Sequence, residues 1–504
     1  MGIAAAALVA LASRVPLSAD ALRQQVIDAL EARLDGEVEI GAFTLDVFPR
    51  FRARGEQLVV RHHGRRDVAP LFSAKAFTVE ADLAGLWRRR VARVRLEGLD
   101  IQIPPDTDDD SPPKGPRAGP HVAAKAEVVI DSLEAPDARL VVNPRRKDKN
   151  PKVWQLHELQ VSSVSVNTVM RFQATLTNAV PPGRIQTNGS FGPWHRDDPG
   201  HTPLRGEFTF DAAKLDVFKG IGGTLSSRGT FDGSLERLDV KGDTDTPDFS
   251  VDISGHKVPL KTTYHAIVDG TNGDTTLERV DGSFLDTRLT ARGAVRDVPG
   301  VKGRLVTLDI TMEPARLEDA LRFAVKAPRA PITGALRLQT DLEIPPGDRD
   351  VIDKLRMSGR FRIEGGRFTD ANVQKQIAEL SARARGKPGA PVATPVVSDF
   401  AGAFTLRDGV LSLRPLVFDV PGAVVDVQGH YNIRAETLDF RGTLVMEAKV
   451  SETVTGFRSL LLKLADPIFR REGRTVVPLT IRGTRDHPAF GIDVKRVFRR
   501  GDAP

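Results

Sequence analysis

The chain contains no cysteine. That absence removes disulfides, thiolate metal sites and a cysteine nucleophile together. It does not fix a compartment, because a chain without thiols is equally stable in oxidising and reducing surroundings. Long apolar runs are missing too. Past Ala12 no stretch approaches the ~20 residues that a membrane-spanning helix requires. Nor is there an excess of one charge strong enough to mark a nucleic-acid binder. The 72 Lys and Arg are interleaved with 66 Asp and Glu, for a net charge of +6. The short basic runs Arg88–Arg90, Arg145–Lys147 and Arg499–Arg500 come with no binding motif and read as solvated turns or membrane-facing charges.

Catalytic signatures are also lacking. There is no His-Glu-x-x-His, Gly-x-Ser-x-Gly, Walker-type phosphate loop or Rossmann glycine fingerprint. The run Asp106–Ser111 offers the first acidic positions of a calcium loop without its turn glycine or closing glutamate. Adjacent His62 and His63 would point to opposite faces of a strand. His195 and His201 share the polar stretch Gly192–Pro203, which reads as a solvated surface loop rather than a metal site. Asp486 beside His487 falls in a hairpin turn with no nucleophile assignable to it. The expectation is a protein that is not an enzyme, with no catalytic residues, no cofactor and no metal.

What the chain does have is alternation, broken in its clearest segment only at Val445. In LDFRGTLVMEAKV, Leu438, Phe440, Gly442, Leu444, Met446, Ala448 and Val450 share one parity, with Asp439, Arg441, Thr443, Glu447 and Lys449 on the other. Side chains alternate faces along a strand, so this is a strand with one apolar and one wet side. The pattern recurs with Phe77, Val79, Ala81 and Leu83, with Val306, Leu308, Ile310 and Met312, with Leu336, Leu338, Leu342 and Ile344, and with Val425, Val427, Tyr431 and Ile433. VRLEGLDIQI switches parity at Gly98, which predicts a bulge or bend. Roughly two dozen such strands, punctuated by Gly, Asp, Asn and Pro, make a mainly β chain. At 504 residues it is too long for one compact core. The alternation fits two architectures equally: a set of sandwich domains, or one long curled antiparallel sheet whose apolar face lines an elongated groove.

Helices are few and short. Ser18 caps a predicted helix over DALRQQVIDALEARL with a stripe of Leu22, Val26, Ile27, Leu30 and Leu34, stopped by Gly36. A second is predicted from Ala371 to Gly386 with Val373, Ile377 and Leu380 on one side. A third is predicted in SETVTGFRSLLLKLADP, with Ser451 as its cap and Pro467 beyond its end, and Arg316–Val325 forms a shorter one. Pro104–His121 and Gly386–Ser398 read as loops.

From Leu355 onward the sequence runs LRMSGRFRIEGGRFTDANVQKQIAELSARARGK, a loop, then SDFAGAFTLRDGVLSLRPLVFDVPGAVVDVQGHYNIRAETLDFRGTLVMEAKV and finally TVVPLTIRGTRDHPAFGIDV, and in this it resembles the C-terminal region of the AsmA family of Gram-negative envelope proteins. The matching residues are the Gly-x-Phe-x-Leu strand Gly402–Leu406, the Asp408-Gly409 turn, the Pro421–Ala423 turn, the strand pair around Gly429 and Gly442, and the closing Ile-x-Gly-Thr at Ile481–Thr484. The first hundred residues are similar to the family's other hallmark. There an apolar run leads through Val15-Pro16 to a short helix, a Gly-x-Val-x-Ile strand (Gly36–Ile40) and a Leu-x-Gly-Leu-x-Ile segment (Leu96–Ile101). Together these cover about half of the chain.

The resemblance implies an inner-membrane protein with a single N-terminal anchor and its body in the periplasm. Residues 1–17 are expected to hold a truncated anchor, with Ile3–Ala12 as its outer half and the true start upstream. Residues 18–103 are the N-terminal helix and strands, 104–121 a linker, 122–350 a central β-groove region, 351–495 the AsmA-like C-terminal region and 496–504 a basic tail. The resemblance also implies a β-groove of the kind found in bridge-like lipid-transfer proteins, with phospholipids as cargo and outer-membrane biogenesis as purpose. The inner membrane is the expected partner, with outer-membrane or envelope proteins as further ones. The expected groove lining is Phe77, Val79, Leu83, Val306, Leu308, Ile310, Leu336, Leu338, Leu342, Val425, Val427, Leu438, Phe440, Leu444 and Met446. The competing expectation is a non-enzymatic assembly protein with a sealed sandwich core that acts through its strand edges.

Overall fold

The computed structural model describes residues 20–492, except 21–22, 25, 29–30, 32–35, 47–50, 63–68, 83–87, 89, 104–128, 144–151, 166, 196–197, 389–395, 450–452, 454–469, 472–473 and 485–487. The fold is mainly β, with 27 strands among the described residues in one large mixed sheet. The chain divides into two compact units. One comprises Met1–Lys214, Thr224–Thr244 and Tyr264–Thr276; the other comprises Leu215–Gly223, Asp245–Thr263 and Leu277–Pro504.

In the first unit, the short strands Gly36–Glu39 and Phe43–Asp46 both pair with Phe51–His62, which pairs in turn with Phe72–Ala81. The parity switch expected at Gly98 is present. Gly98 has φ +60, a conformation that a Cβ disfavours, and it divides Arg90–Glu97 from Asp100–Ile103. Because of that bend Leu96 and Leu99, three positions apart, are both buried. The sheet departs here from the all-antiparallel expectation, since Val129–Val142 runs parallel to both pieces. The intervening residues 104–128 supply the length that a parallel crossover needs. Antiparallel pairing resumes through Lys152–Val164, Met170–Ala179, Pro182–Phe191, Leu204–Lys214 and Thr224–Ser234. The sheet curls far enough for Trp194, just past Pro182–Phe191, to bring its ring centroid 6.0 Å from that of Phe72.

A closed core fills this curl. Val26 and Ile27, both helical, join Val38, Phe77, Val79, Val94, Leu96, Ile130 and Leu156 in it. The N-terminal helix predicted from its Val26–Ile27 stripe is thus present at those residues. Ser18, Leu22, Leu30 and Leu34 lie outside the described residues.

In the second unit, ten strands follow one another as an antiparallel meander: Thr287–Asp297, Arg304–Arg316, Ile332–Ile344, Arg356–Phe368, Ser398–Arg407, Val410–Val420, Ala423–Asn432, Thr437–Met446, Arg474–Thr484 and Pro488–Ile492. The Asp408-Gly409 pair makes the tight hairpin that its sequence predicts, with φ +50 and +72 at consecutive positions, as a two-residue primed turn requires. Two strands carry bulges where the apolar spacing slips from two to three. Met312 and Ala315 flank Glu313-Pro314, and Leu413 and Leu416 flank Arg414-Pro415. In both the extra residue restores the apolar side chains to one face.

Among the described residues three short helices interrupt the meander. Leu317–Leu321 stands within the segment predicted as Arg316–Val325. Val351–Lys354 has no counterpart in the sequence reading. Ala371–Ala384 starts at Asp370, whose carboxylate accepts from the Asn372 and Val373 amides at 2.8 and 3.0 Å, the expected N-cap geometry. Its inner face matches the predicted stripe in part, since Ile377 and Leu380 pack, half-buried, against the core of Ala384, Val420, Ala423 and Met446. Val373 is exposed, whereas Ala378, Ser381, Ala382 and Ala384 are buried. Small residues win because the Ser381 hydroxyl donates to the Pro421 carbonyl at 2.7 Å, which brings helix and turn too close for large side chains. The strand predicted to run to Val450 leaves the ladder after Met446. There the Ala448 amide turns to the Ala384 carbonyl at the helix C-terminus, 2.9 Å away.

Most of the predicted helix Ser451–Pro467, the whole loop Pro104–His121, the Asp486-His487 turn, the basic tail and the expected anchor Ile3–Ala12 lie outside the described residues. Among the described residues no helix is long and apolar enough to cross a membrane.

Candidate functional site

Strand register in the second unit aligns the apolar parity into continuous cross-strand rows. One row runs Leu308, Leu342, Met357, Leu406, Leu411, Tyr431, Leu438. A second runs Met312, Leu338, Phe361, Gly402, Leu416, Val427, Gly442, Leu479. A third runs Ala315, Leu336, Ile363, Phe400, Phe418, Val425, Leu444, Val477. A one-residue slip in any strand would throw its contribution to the opposite face, so the alternation itself pins this register.

The rows are not equally covered. Leu317–Leu321 packs on Ala315, Leu336 and Ile363, and helix Ala371–Ala384 packs its end on Val420, Ala423 and Met446. Away from these helices the side chains are only half-buried, among them Leu308, Ile310, Leu342, Met357, Phe404, Leu411, Leu413, Leu438 and Phe440. Phenylalanine rings thicken the face: Phe400 stacks on Phe418 at 4.7 Å between centroids, with Phe368 edge-on at 6.1 Å. Glycines on neighbouring strands leave room for such rings. A Cβ on Gly402 would come within 3.2 Å of the Phe361 ring.

The opposite face is charged and exposed. Arg337 lies 3.2 Å from Glu313 and 3.5 Å from Glu364, Arg356 lies 2.7 Å from Glu343, and Arg482 lies 3.2 Å from Asp439. Exposed pairs of this kind are each worth little, about 0–1 kcal/mol. Their consequence is that this side of the sheet is the charged, solvated one.

The expected lining residues therefore separate into three groups. Val306, Leu308, Ile310, Leu338, Leu342, Leu438, Phe440 and Leu444 are half-buried on the apolar face. Leu336, Val425, Val427 and Met446 lie on the same face but are buried, at 4 %, 8 %, 4 % and 7 % exposure. Phe77 and Val79 belong to the closed core of the first unit, at 2 % and 1 %, where the chain itself occupies the face. Leu83 is outside the described residues.

The first unit repeats the arrangement from the margin of its closed core, against which Leu176 packs, outward. Leu176, Ile185 and Phe210 form one row, and Phe208 lies over Gly229, where a Cβ would be 3.0 Å from the ring. Polar groups interrupt the apolar side at Ser227, whose hydroxyl meets the Tyr264 hydroxyl at 3.2 Å and donates to the Asp243 carbonyl at 2.9 Å. Burial holds the Tyr264 phenol above its ordinary range.

Of the polar candidates, His201 acquires neighbours that its own stretch did not announce. With Asp198 and Glu236 it forms a His/Asp/Glu group within ligand reach, and the His195 ring is not part of it. Asp198 was legible as i, i+3 to His201 in Asp-Pro-Gly-His. Glu236 comes from another hairpin, and nothing in the local sequence points to it.

Chemically, the half-buried rows offer apolar area and aromatic faces, with Thr340 as a polar interruption that satisfies itself on the Ser358 carbonyl at 3.0 Å. Such a surface can desolvate and hold apolar matter. Compared with known proteins, the chain matches no family model, no curated protein and no solved structure.

Proposed function

We propose that this protein binds phospholipid acyl chains along its apolar sheet face and supports lipid movement toward the outer membrane of a Gram-negative type envelope. In this reading an N-terminal anchor holds it in the inner membrane, its body lies in the periplasm, and no catalytic step is involved. The apolar face is the lining of an elongated groove. One observation carries the reading: consecutive strands of the second unit present aligned apolar rows that stay half-buried, while the charged parity lies on the other side. Ten strands at about 4.8 Å spacing extend on the order of 40 Å, more than the ~30 Å hydrocarbon thickness of a bilayer. Shielding a chain from water is worth about 0.8 kcal/mol per methylene, hence on the order of 10 kcal/mol for a sixteen-carbon tail.

The test is mass spectrometry of lipid retained by the protein after purification without detergent. Several phospholipids per chain are expected, and Leu338→Asp with Leu444→Asp should lower that number in a protein that remains folded by circular dichroism. A folded, lipid-free protein would remove the reading.

A second reading, assembly of envelope proteins by strand addition, draws on the edge strand Pro488–Ile492. Among the described residues it pairs on one side only, with Arg474–Thr484. A lipid-free protein that captured an outer-membrane strand peptide would favour it.

A further inference from the structure

The stretch Gly192–Pro203 is a braced loop. The Gly192 amide donates to the Pro203 carbonyl at 2.9 Å and the His195 amide to the Thr202 hydroxyl at 3.1 Å, closing its base. At its tip Pro199–His201 makes one tight turn. Asp198 fastens that turn with both carboxylate oxygens. Oδ1 accepts from the Gly200 amide at 3.1 Å, and Oδ2 lies 2.6 Å from His201 Nδ1. A second hairpin is tied on from the side, since the Leu235 amide donates to the Gly200 carbonyl at 3.1 Å. The next residue, Glu236, thereby faces His201, with Oε2 3.4 Å from Nε2.

These contacts fix the roles. Asp198 accepts at Nδ1, so the ring proton is held there and the Nε2 lone pair is directed outward. Two electron-rich atoms, Nε2 and a carboxylate oxygen, then face each other and need a cation between them. Their separation discriminates between cations. A direct N–H···O bond prefers about 2.7–3.2 Å. Two metal bonds of about 2.0–2.1 Å meeting at a tetrahedral angle put their ligand atoms about 3.4 Å apart. The carboxylate on Nδ1–H is the usual outer partner of a metal-bound imidazole, which it orients and makes more basic.

We propose that His201 Nε2 and the Glu236 carboxylate bind a divalent transition metal of the zinc class, with Asp198 as the positioning residue behind the imidazole. Water completes the coordination, and the ion cross-links the Gly192–Pro203 loop to the hairpin at Leu235–Glu236. Imidazole with carboxylate selects Zn²⁺ over the harder Mg²⁺ and Ca²⁺. The proposal is independent of the lipid reading.

The test is isothermal titration of the untagged, chelator-stripped full chain with zinc chloride, paired with thermal unfolding followed by circular dichroism. One zinc per chain is expected, with a higher unfolding midpoint that EDTA reverses and that magnesium and calcium do not reproduce. His201→Gln and Glu236→Gln should abolish the zinc-dependent shift, Asp198→Asn should weaken zinc binding about tenfold or more, and His195→Gln should leave it unchanged. Because the three residues are exposed or half-buried, these variants are expected to fold like the parent without zinc. Absence of 1:1 zinc binding at millimolar zinc, or binding that survives both His201→Gln and Glu236→Gln, would overturn the proposal and leave His201 as a proton-bridged link between two carboxylates.

Discussion

The Phe440 ring lies over Gly429 on the neighbouring strand, in the space that a side chain at Gly429 would fill. A Cβ there would stand 2.7 Å from Phe440 Cδ1 and 2.1 Å from the Asp439 carbonyl oxygen. The ring can rotate away, but the backbone oxygen cannot. Gly429→Ala is therefore expected to lower stability by about 1–3 kcal/mol through overpacking, read as a fall in the urea midpoint. Adding Phe440→Leu should not restore the loss, because the clash with the main chain persists. A full rescue by Phe440→Leu would show that the ring alone sets the constraint.

Helix Ala371–Ala384 is fastened at two points that can be removed separately. Asp370→Ala strips the cap from the Asn372 and Val373 amides and should cost about 1 kcal/mol. Ser381→Ala leaves the Pro421 carbonyl without the hydroxyl it accepts from, beside a wholly buried position, and should cost about 1–3 kcal/mol. Eleven residues of helix separate the two by roughly 16 Å, so their effects should add. Urea unfolding of both single variants and the double variant checks the sum.

How far the sequence reaches is visible in two matched segments. KAFTVEADL and ALRLQTDLEI carry the same alternation, and both are strands with the apolar parity inward. Yet Val79 is 1 % exposed while Leu338 is half-buried. The difference lies in what stands opposite. Val79 shares a large closed core with Val26, Ile27, Ile130 and Leu156, whereas Leu338 packs beside the small cluster of Ala315, Leu317, Leu336 and Ile363. Periodicity reports which way a side chain points, not what it meets, so it could not choose between a sealed core and an open face. Turns fared better, because Gly98 and Asp408-Gly409 impose local backbone conformations. The His201 cluster was only half legible, since hydrogen bonding between hairpins, not local spacing, brings Glu236 to it.

Tyr264 supplies a pH prediction. Burial raises its phenol above the ordinary value, while the hydrogen bond with Ser227 pulls the other way and is the smaller effect. The unfolded chain ionises this tyrosine near pH 10 and the folded chain only at higher pH. Below pH 10 both states carry a neutral phenol. As pH rises past 10 the unfolded state gains ionisation first, so stability falls until the folded value is passed. The chain has two tyrosines, so Tyr431→Phe isolates the signal. Ultraviolet absorbance of that variant should titrate above pH 10 when folded and near 10 in urea. A folded titration at the ordinary position would contradict the burial argument.

The lipid-binding reading makes a prediction with a period built into it. On Thr437–Met446, Leu438, Phe440 and Leu444 face the apolar rows, and Asp439 and Arg441 face the ion-paired side. A photo-crosslinking amino acid placed singly along this strand should attach phospholipid at 438, 440 and 444 and not at 439 or 441. The same probe on Ile332–Ile344 should label 338 and 342 and spare 337 and 341. At Phe77 it should give no lipid adduct, although the sequence pattern there is the same, because the face is filled by the protein itself. Loose association of lipid with a sticky surface would label both parities alike. A sealed interior would label neither. Alternation on the second-unit strands together with silence at 77 is the outcome that only an accessible apolar face, continuous across strands, produces.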